Sequence, residues 1–262
     1  LADGGRKIGG GTILGMLAVV AMLVLSACHG VPAATPGAAS TASSSASQAD
    51  KQVHKVVVVG DSLSTGMGSS VEDAWPSLLS AAPLDPEDSF DVVNASQNGS
   101  GYVQVGSNNS TFGKQVEQAV TSDTELVVFF GSENDMGNST ADIGAAATAA
   151  FGAVKAKSPH AVVLAVGPPA YTTQPEAARL AVRDAIRKAA SGAGALFVDP
   201  IEQGWFIGEV AELVGPDGVH PTAAGQRYLQ AQLEKLIKEE IVPNPTAAAP
   251  PLSDPSGSAR AK

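Results

Sequence analysis

Four short segments carry side chains of the kinds that chemistry needs. The first is Gly60-Asp61-Ser62-Leu63-Ser64, directly after the valine run Val56–Val59. The second is Asn94-Ala95-Ser96-Gln97-Asn98-Gly99, and the third is Gly131-Ser132-Glu133-Asn134-Asp135. The fourth is Asp217-Gly218-Val219-His220-Pro221. A serine hydroxyl is a poor nucleophile until a base takes its proton, so Ser62 needs an imidazole within hydrogen-bond reach. Among the histidines, His54 leads into the first predicted strand and His160 precedes the fourth at its amino end, while His29 lies far upstream. Only His220 is expected at the same sheet edge as Ser62. Asp217 is close enough in a turn to accept the Nδ1 proton, which fixes the tautomer and stabilises the imidazolium. An oxyanion also needs donors, each worth about 3–4 kcal/mol. The N–H groups of Ser62 and Gly99 and the Asn134 amide are the candidates, with Gly101 an alternative to Gly99.

Each of these residues has a plainer reading. Ser62 could simply cap a helix, His220 could dock against the helix that follows, and Asn134 could bond backbone in a turn. Asp61 and Asp135 read as structural, holding their loops by hydrogen bonds, and Trp75 reads as core. Trp205, Phe206 and Tyr171 either border a cleft or pack. The histidines are scattered without metal-ligand spacing, so no metal site is indicated. Gly66 and Gly68 are not followed by the Gly-Lys-Ser/Thr that a phosphate loop requires.

Positioning these segments falls to alternating strands and helices. Short apolar runs, Val56–Val59, Phe90–Val93, Leu126–Phe130, Ala161–Val166 and Ala195–Val198, read as buried parallel strands. Between and after them lie helical patterns at Trp75–Ala82, Phe112–Val120, Ala141–Lys157, Pro175–Ser191 and Thr222–Glu240. In the last helix Tyr228, Leu229, Leu233, Leu236 and Ile237 share a face, and Thr222 is a plausible N-cap. This alternation predicts an α/β fold: a three-layer α/β/α sandwich around a five-stranded parallel sheet in flavodoxin-like order. In such sheets the chemistry sits at the carboxyl ends of the strands, where all four segments fall.

The four blocks, in this order, resemble the SGNH hydrolases, also called GDSL esterases and lipases. The resemblance spans about Val53 to Ile241. It implies Ser62 as nucleophile, Gly99 and Asn134 as oxyanion residues with the Ser62 N–H, and Asp217 and His220 as the remaining catalytic pair. GDSLSTGMG followed by Trp75-Pro76-Ser77-Leu78-Leu79 looks most like the small bacterial single-domain esterases. One departure stands out: the family's third block reads Gly-x-Asn-Asp, whereas here both Ser132 and Glu133 intervene. Glu133 is expected to point away from the oxyanion. The implied activity is hydrolysis of carboxylic esters through an acyl-enzyme, without a cofactor, by a monomer. Removal of acetyl groups from cell-wall or environmental polysaccharide is an alternative. A non-catalytic envelope lipoprotein binding glycan or lipid is another.

Composition narrows the classes further. The formal charge is −10 and no basic cluster occurs, which argues against nucleic-acid binding. A single cysteine, Cys28, excludes an intrachain disulfide and a thiolate-rich zinc site. Arg6 and Lys7 precede the uncharged apolar run Ile13–Leu25, the layout of a secretory signal. The run ends in Leu25-Ser26-Ala27-Cys28, which looks like a bacterial lipobox and implies cleavage before a lipid-bearing Cys28. An uncleaved anchor and an ordinary signal with a chance cysteine are the alternatives. The expected organisation is a leader at 1–27, an Ala/Ser/Pro-rich tether at 28–52, the hydrolase domain at 53–242 and a Pro/Ala-rich tail at 243–262. The expected location is exported and held at the outer face of the cytoplasmic membrane or cell envelope, or secreted if the lipobox is unused.

Overall fold

The computed structural model describes residues 52–82 and 88–241. The leader, the tail and all of the tether before Gln52 lie outside the described residues. Val56–Val59 form the middle of β1 (Gln52–Gly60), the strand on which the sheet is built. Beside it run β2 (Asp88–Asn94) and β3 (Leu126–Phe130), followed outward by β4 (Val162–Val166) and β5 (Leu196–Val198). All pairings are parallel and the order is β2-β1-β3-β4-β5, the flavodoxin-like arrangement. Register aligns Gly60 with Phe130 and Phe130 with Val166, so the strands end on a common line.

Successive strand residues point to opposite faces, and here both faces are covered. Val57, Val59, Val127 and Phe129 pack with Phe112, Ile143, Phe151 and Ile186 in one core. Those partners come from α3 (Phe112–Ala119), α4 (Thr140–Lys157) and α5 (Ala177–Ala193). Val56, Val58, Val128 and Phe130 face the other core, with Trp75, Leu79, Leu229, Leu233 and Ile237. Those partners lie on α2 (Trp75–Ala81) and α7 (Ala223–Ile241). The short helices α1 (Ser62–Thr65) and α6 (Val210–Leu213) lie in loops at the carboxyl edge. Thr222 Oγ1 accepts the Gly225 N–H at 3.1 Å, as an N-cap should.

The carboxyl edge therefore gathers the four chemistry-bearing segments. At the opposite edge β1 begins, at Gln52. There too Glu240, in the last turn of α7, shares a recess with Glu125 and Val162 beside the starts of β3 and β4. Both described ends of the domain thus leave from the edge away from Ser62. His54 is also toward that edge, inside β1 rather than ahead of it, buried and bonded to Glu125 at 2.8 Å.

Candidate active site

The turn after β1 is fixed from both faces of the sheet. From α3, Gln115 accepts the Gly60 N–H at 2.9 Å and donates to Gly60 O at 3.0 Å. From α7, Gln226 donates to Leu63 O at 3.2 Å and accepts the Trp75 N–H at 3.0 Å. Asn94 Nδ2 donates to Ser64 O at 2.8 Å. Asp61 caps α1, its Oδ1 accepting the Leu63 N–H at 2.9 Å. Ser62, the first residue of α1, is 8% exposed, enough to meet a substrate from one side only.

His220 reaches this serine from the loop before α7. Its Nε2 is 3.0 Å from Ser62 Oγ, and its Nδ1 is 2.7 Å from Asp217 Oδ2. Asp217 Oδ1 accepts the N–H groups of Val219 and His220, each at 3.0 Å, so the carboxylate is held on three sides. The bond to the imidazole, then the two backbone donors, hold its carboxyl well below the usual carboxylate range. A carboxylate on Nδ1 puts the proton there and leaves the Nε2 lone pair facing Ser62. Gly68 packs closely against the base of the His220 side chain. Its φ is +90°, and a Cβ there would come within 2.7 Å of His220 Cβ.

The remaining two segments flank Ser62. Gly99 has a φ of +71°, and neither its N–H nor that of Ser62 has a partner among the described residues. The N–H of Gly101 is committed to Gln104 O at 2.9 Å, which removes the alternative donor. Asn134 sits in a short 3-10 turn, Glu133–Asp135, capped by Ser132, whose Oγ accepts the Asn134 N–H at 3.1 Å. Asn134 Nδ2 faces two acceptors, Asp61 Oδ2 at 3.2 Å and Ser100 O at 3.0 Å. Asp135 holds the second loop, accepting from Tyr102, Val103 and Gln104 N–H at 2.7, 3.0 and 2.8 Å. Asp61 is fully buried and its pKa is pushed up to about 7, mainly by that burial, with Glu133 and Asp135 adding repulsion.

The extra carboxylate of the third segment is neutralised. Glu133 pairs with Arg179 of α5 at 2.5 Å, and the same guanidinium bonds Glu176 at 2.9 Å and Pro169 O at 2.8 Å. Trp75, Trp205 and Phe206 are core residues, while Tyr171 packs on Phe206 at 5.5 Å and beneath Arg179 at 5.7 Å. Gln115, Gln226 and Arg179 were not singled out from sequence. Each stands at a buried position of an otherwise apolar helix face, such as Phe112, Gln115 and Val116, which is the signal that marks them. Among the described residues no group of His, Cys, Asp or Glu side chains is placed to hold a metal ion.

The sequence matches the GDSL-like lipase/acylhydrolase family over residues 58–228. It is 35% identical over 202 residues to GDSL lipase Rv0518 of Mycobacterium tuberculosis, covering 74% of this chain and 85% of that protein. The fold superposes on the crystal structure of TesA with a TM-score of 0.59 at 23% identity, covering 71% of this chain and 98% of that one. It also superposes on Est24, a carbohydrate acetylesterase from Sinorhizobium meliloti, with a TM-score of 0.54 at 16% identity, over 70% and 98% of the two chains. At those identities the two structures speak to the fold alone. The family match covers the serine turn, both flanking segments and the histidine loop, so this chain belongs to the GDSL-like lipase/acylhydrolase family of hydrolases.

Proposed function

We propose that the domain is a serine esterase using Ser62, His220 and Asp217. The observation that carries this reading is the continuous bonded chain Ser62 Oγ–His220–Asp217, at 3.0 and 2.7 Å. Ser62 Oγ attacks the ester carbonyl carbon while its proton passes to His220 Nε2. The carbonyl π pair moves onto oxygen, where the N–H groups of Ser62 and Gly99 and the Asn134 amide receive it. Collapse breaks the bond to the alkoxy oxygen, which leaves as the alcohol with the proton from Nε2. Water then attacks the acyl-enzyme, giving its proton to Nε2, and Ser62 departs with that proton as the acid is released. Asp217 stays ionised and keeps the imidazolium oriented. The scheme needs no cofactor, and all five residues come from one chain, so a monomer suffices.

Carboxylic esters with an apolar acyl chain fit this site better than acetylated sugars. Met67, Val71, Val105 and Ile207 are exposed large apolar side chains in loops that follow the carboxyl ends of β1, β2 and β5, which supports a hydrocarbon-bearing substrate. We place the enzyme outside the cytoplasmic membrane, held through Cys28; the leader-like run Ile13–Leu25 and the Leu25–Cys28 sequence support this. Replacing Ser62 with Ala should lower hydrolysis of a short-chain nitrophenyl ester by at least about a thousandfold. Unchanged turnover would sink the esterase assignment. An octanoate ester should be preferred to an acetylated oligosaccharide, and the reverse preference would move the substrate class to carbohydrate acetyl esters.

A further inference from the structure

We propose that Asp61 is a positioning residue for the oxyanion site and acts through Asn134. This rests on the reading of Asn134 as an oxyanion donor. Capping α1 occupies only Oδ1, which accepts the Leu63 N–H at 2.9 Å. A serine or asparagine would cap as well, so the cap alone does not account for a carboxylate. The second oxygen reaches across to the turn after β3. Oδ2 lies 3.2 Å from Asn134 Nδ2 and packs so closely on Gly131 that a Cβ there would approach it to 2.6 Å. Asp61 is fully buried, and no lysine, arginine or histidine among the described residues forms an ion pair with it. A charge in that position is costly unless hydrogen bonds offset the lost water. Asn134 supplies one of those bonds and ties the nucleophile turn to the oxyanion amide.

The two acceptors on Asn134 Nδ2 are unequal. Ser100 O at 3.0 Å is a neutral carbonyl, whereas Asp61, once ionised above about pH 7, accepts a charge-assisted and stronger bond. When an oxyanion forms on the Ser62 adduct and claims one amide proton, the carbonyl bond yields and the Asp61 bond keeps the amide plane. Exchanging Asp61 for asparagine breaks this arrangement in a specific way. The Leu63 N–H still demands the side-chain oxygen, so the new NH2 group faces the NH2 of Asn134, donor against donor.

A double-mutant cycle on the full chain tests the proposal. Asp61→Asn, Asn134→Ala and the double variant are assayed for kcat and KM on nitrophenyl butyrate at a pH about one unit or more above 7, where Asp61 is ionised, with folding checked by circular dichroism. Asp61→Ser, which keeps a capping oxygen for Leu63 but lacks the second one, runs in the same cycle in case Asp61→Asn folds poorly. Loss of an oxyanion donor typically lowers kcat by roughly 100- to 1000-fold, and Asn134→Ala is expected in that range with KM little changed. Each Asp61 variant should lower kcat by roughly tenfold or more, and adding it to Asn134→Ala should cause no further loss. Unchanged kcat in both Asp61 variants, or losses that multiply in the double variants, would overturn the role assigned to Asp61. An unchanged kcat in Asn134→Ala would instead overturn the oxyanion reading on which it rests.

Discussion

Two aspartates that touch the site, Asp61 and Asp217, differ in how water reaches them. Asp61 is wholly enclosed, and burial raises its pKa from 3.8 to about 7 in the folded protein. Between those values the folded state holds a proton that the unfolded chain has released, so this group's contribution to stability is lost as pH rises. Asp217 is exposed and its shift runs the other way, driven by the His220 ring and two backbone donors. Its contribution is present at neutral pH and fades as pH falls through the carboxylate range, though water screens it. The thermal midpoint of the wild type, measured against Asp61→Asn, should therefore decline from about pH 4 to about pH 7. A difference independent of pH over that window would mean that Asp61 does not titrate there.

At the scale of elements, the serine turn owes its rigidity to α3 and α7, which approach from opposite sheet faces. The histidine loop owes its position to the turn after α1. Gly68 has no room for a side chain, since its φ is +90° and a Cβ would lie 2.7 Å from His220 Cβ and 2.8 Å from Pro221 O. Gly68→Ala should push the imidazole off Ser62, and a displacement near 1 Å can cost on the order of a hundredfold in rate. Lowered kcat with the fold retained is the expected outcome; unaltered kcat would show that the loop relaxes around the methyl group. Much of this level was legible in sequence. The valine run of β1 and the unbroken apolar Leu126–Phe130 announced strands covered on both faces, and the face of α7 was readable from Leu229, Leu233 and Ile237. What periodicity could not supply was the partner of a buried polar side chain. Gln115 bonds a residue 55 positions away and Gln226 one 163 positions away, whereas periodicity describes only neighbours along one helix. The four-residue helices α1 and α6 were also unread, because barely one turn has no periodicity to detect. The bonded pair Asp217 and His220 was readable because the two residues are only three positions apart. The bond from Asp61 to Asn134 was not, since it joins loops from two different strands.

For the whole molecule, the sheet separates two edges with different work. Ser62 and its partners occupy the carboxyl edge, while Gln52 and the last turn of α7 lie at the amino edge. If Cys28 carries lipid, Cys28→Ala should move the full-length protein from the membrane fraction to the soluble one, with esterase activity following it. Unchanged fractionation would count against the lipobox reading. The nine residues of β1 span about 25–30 Å between the two edges. A bead, a sensor surface or a fused partner attached through either end of the domain would thus stand on the far side of the sheet from the serine. Substrate would diffuse to the catalytic edge without meeting its support.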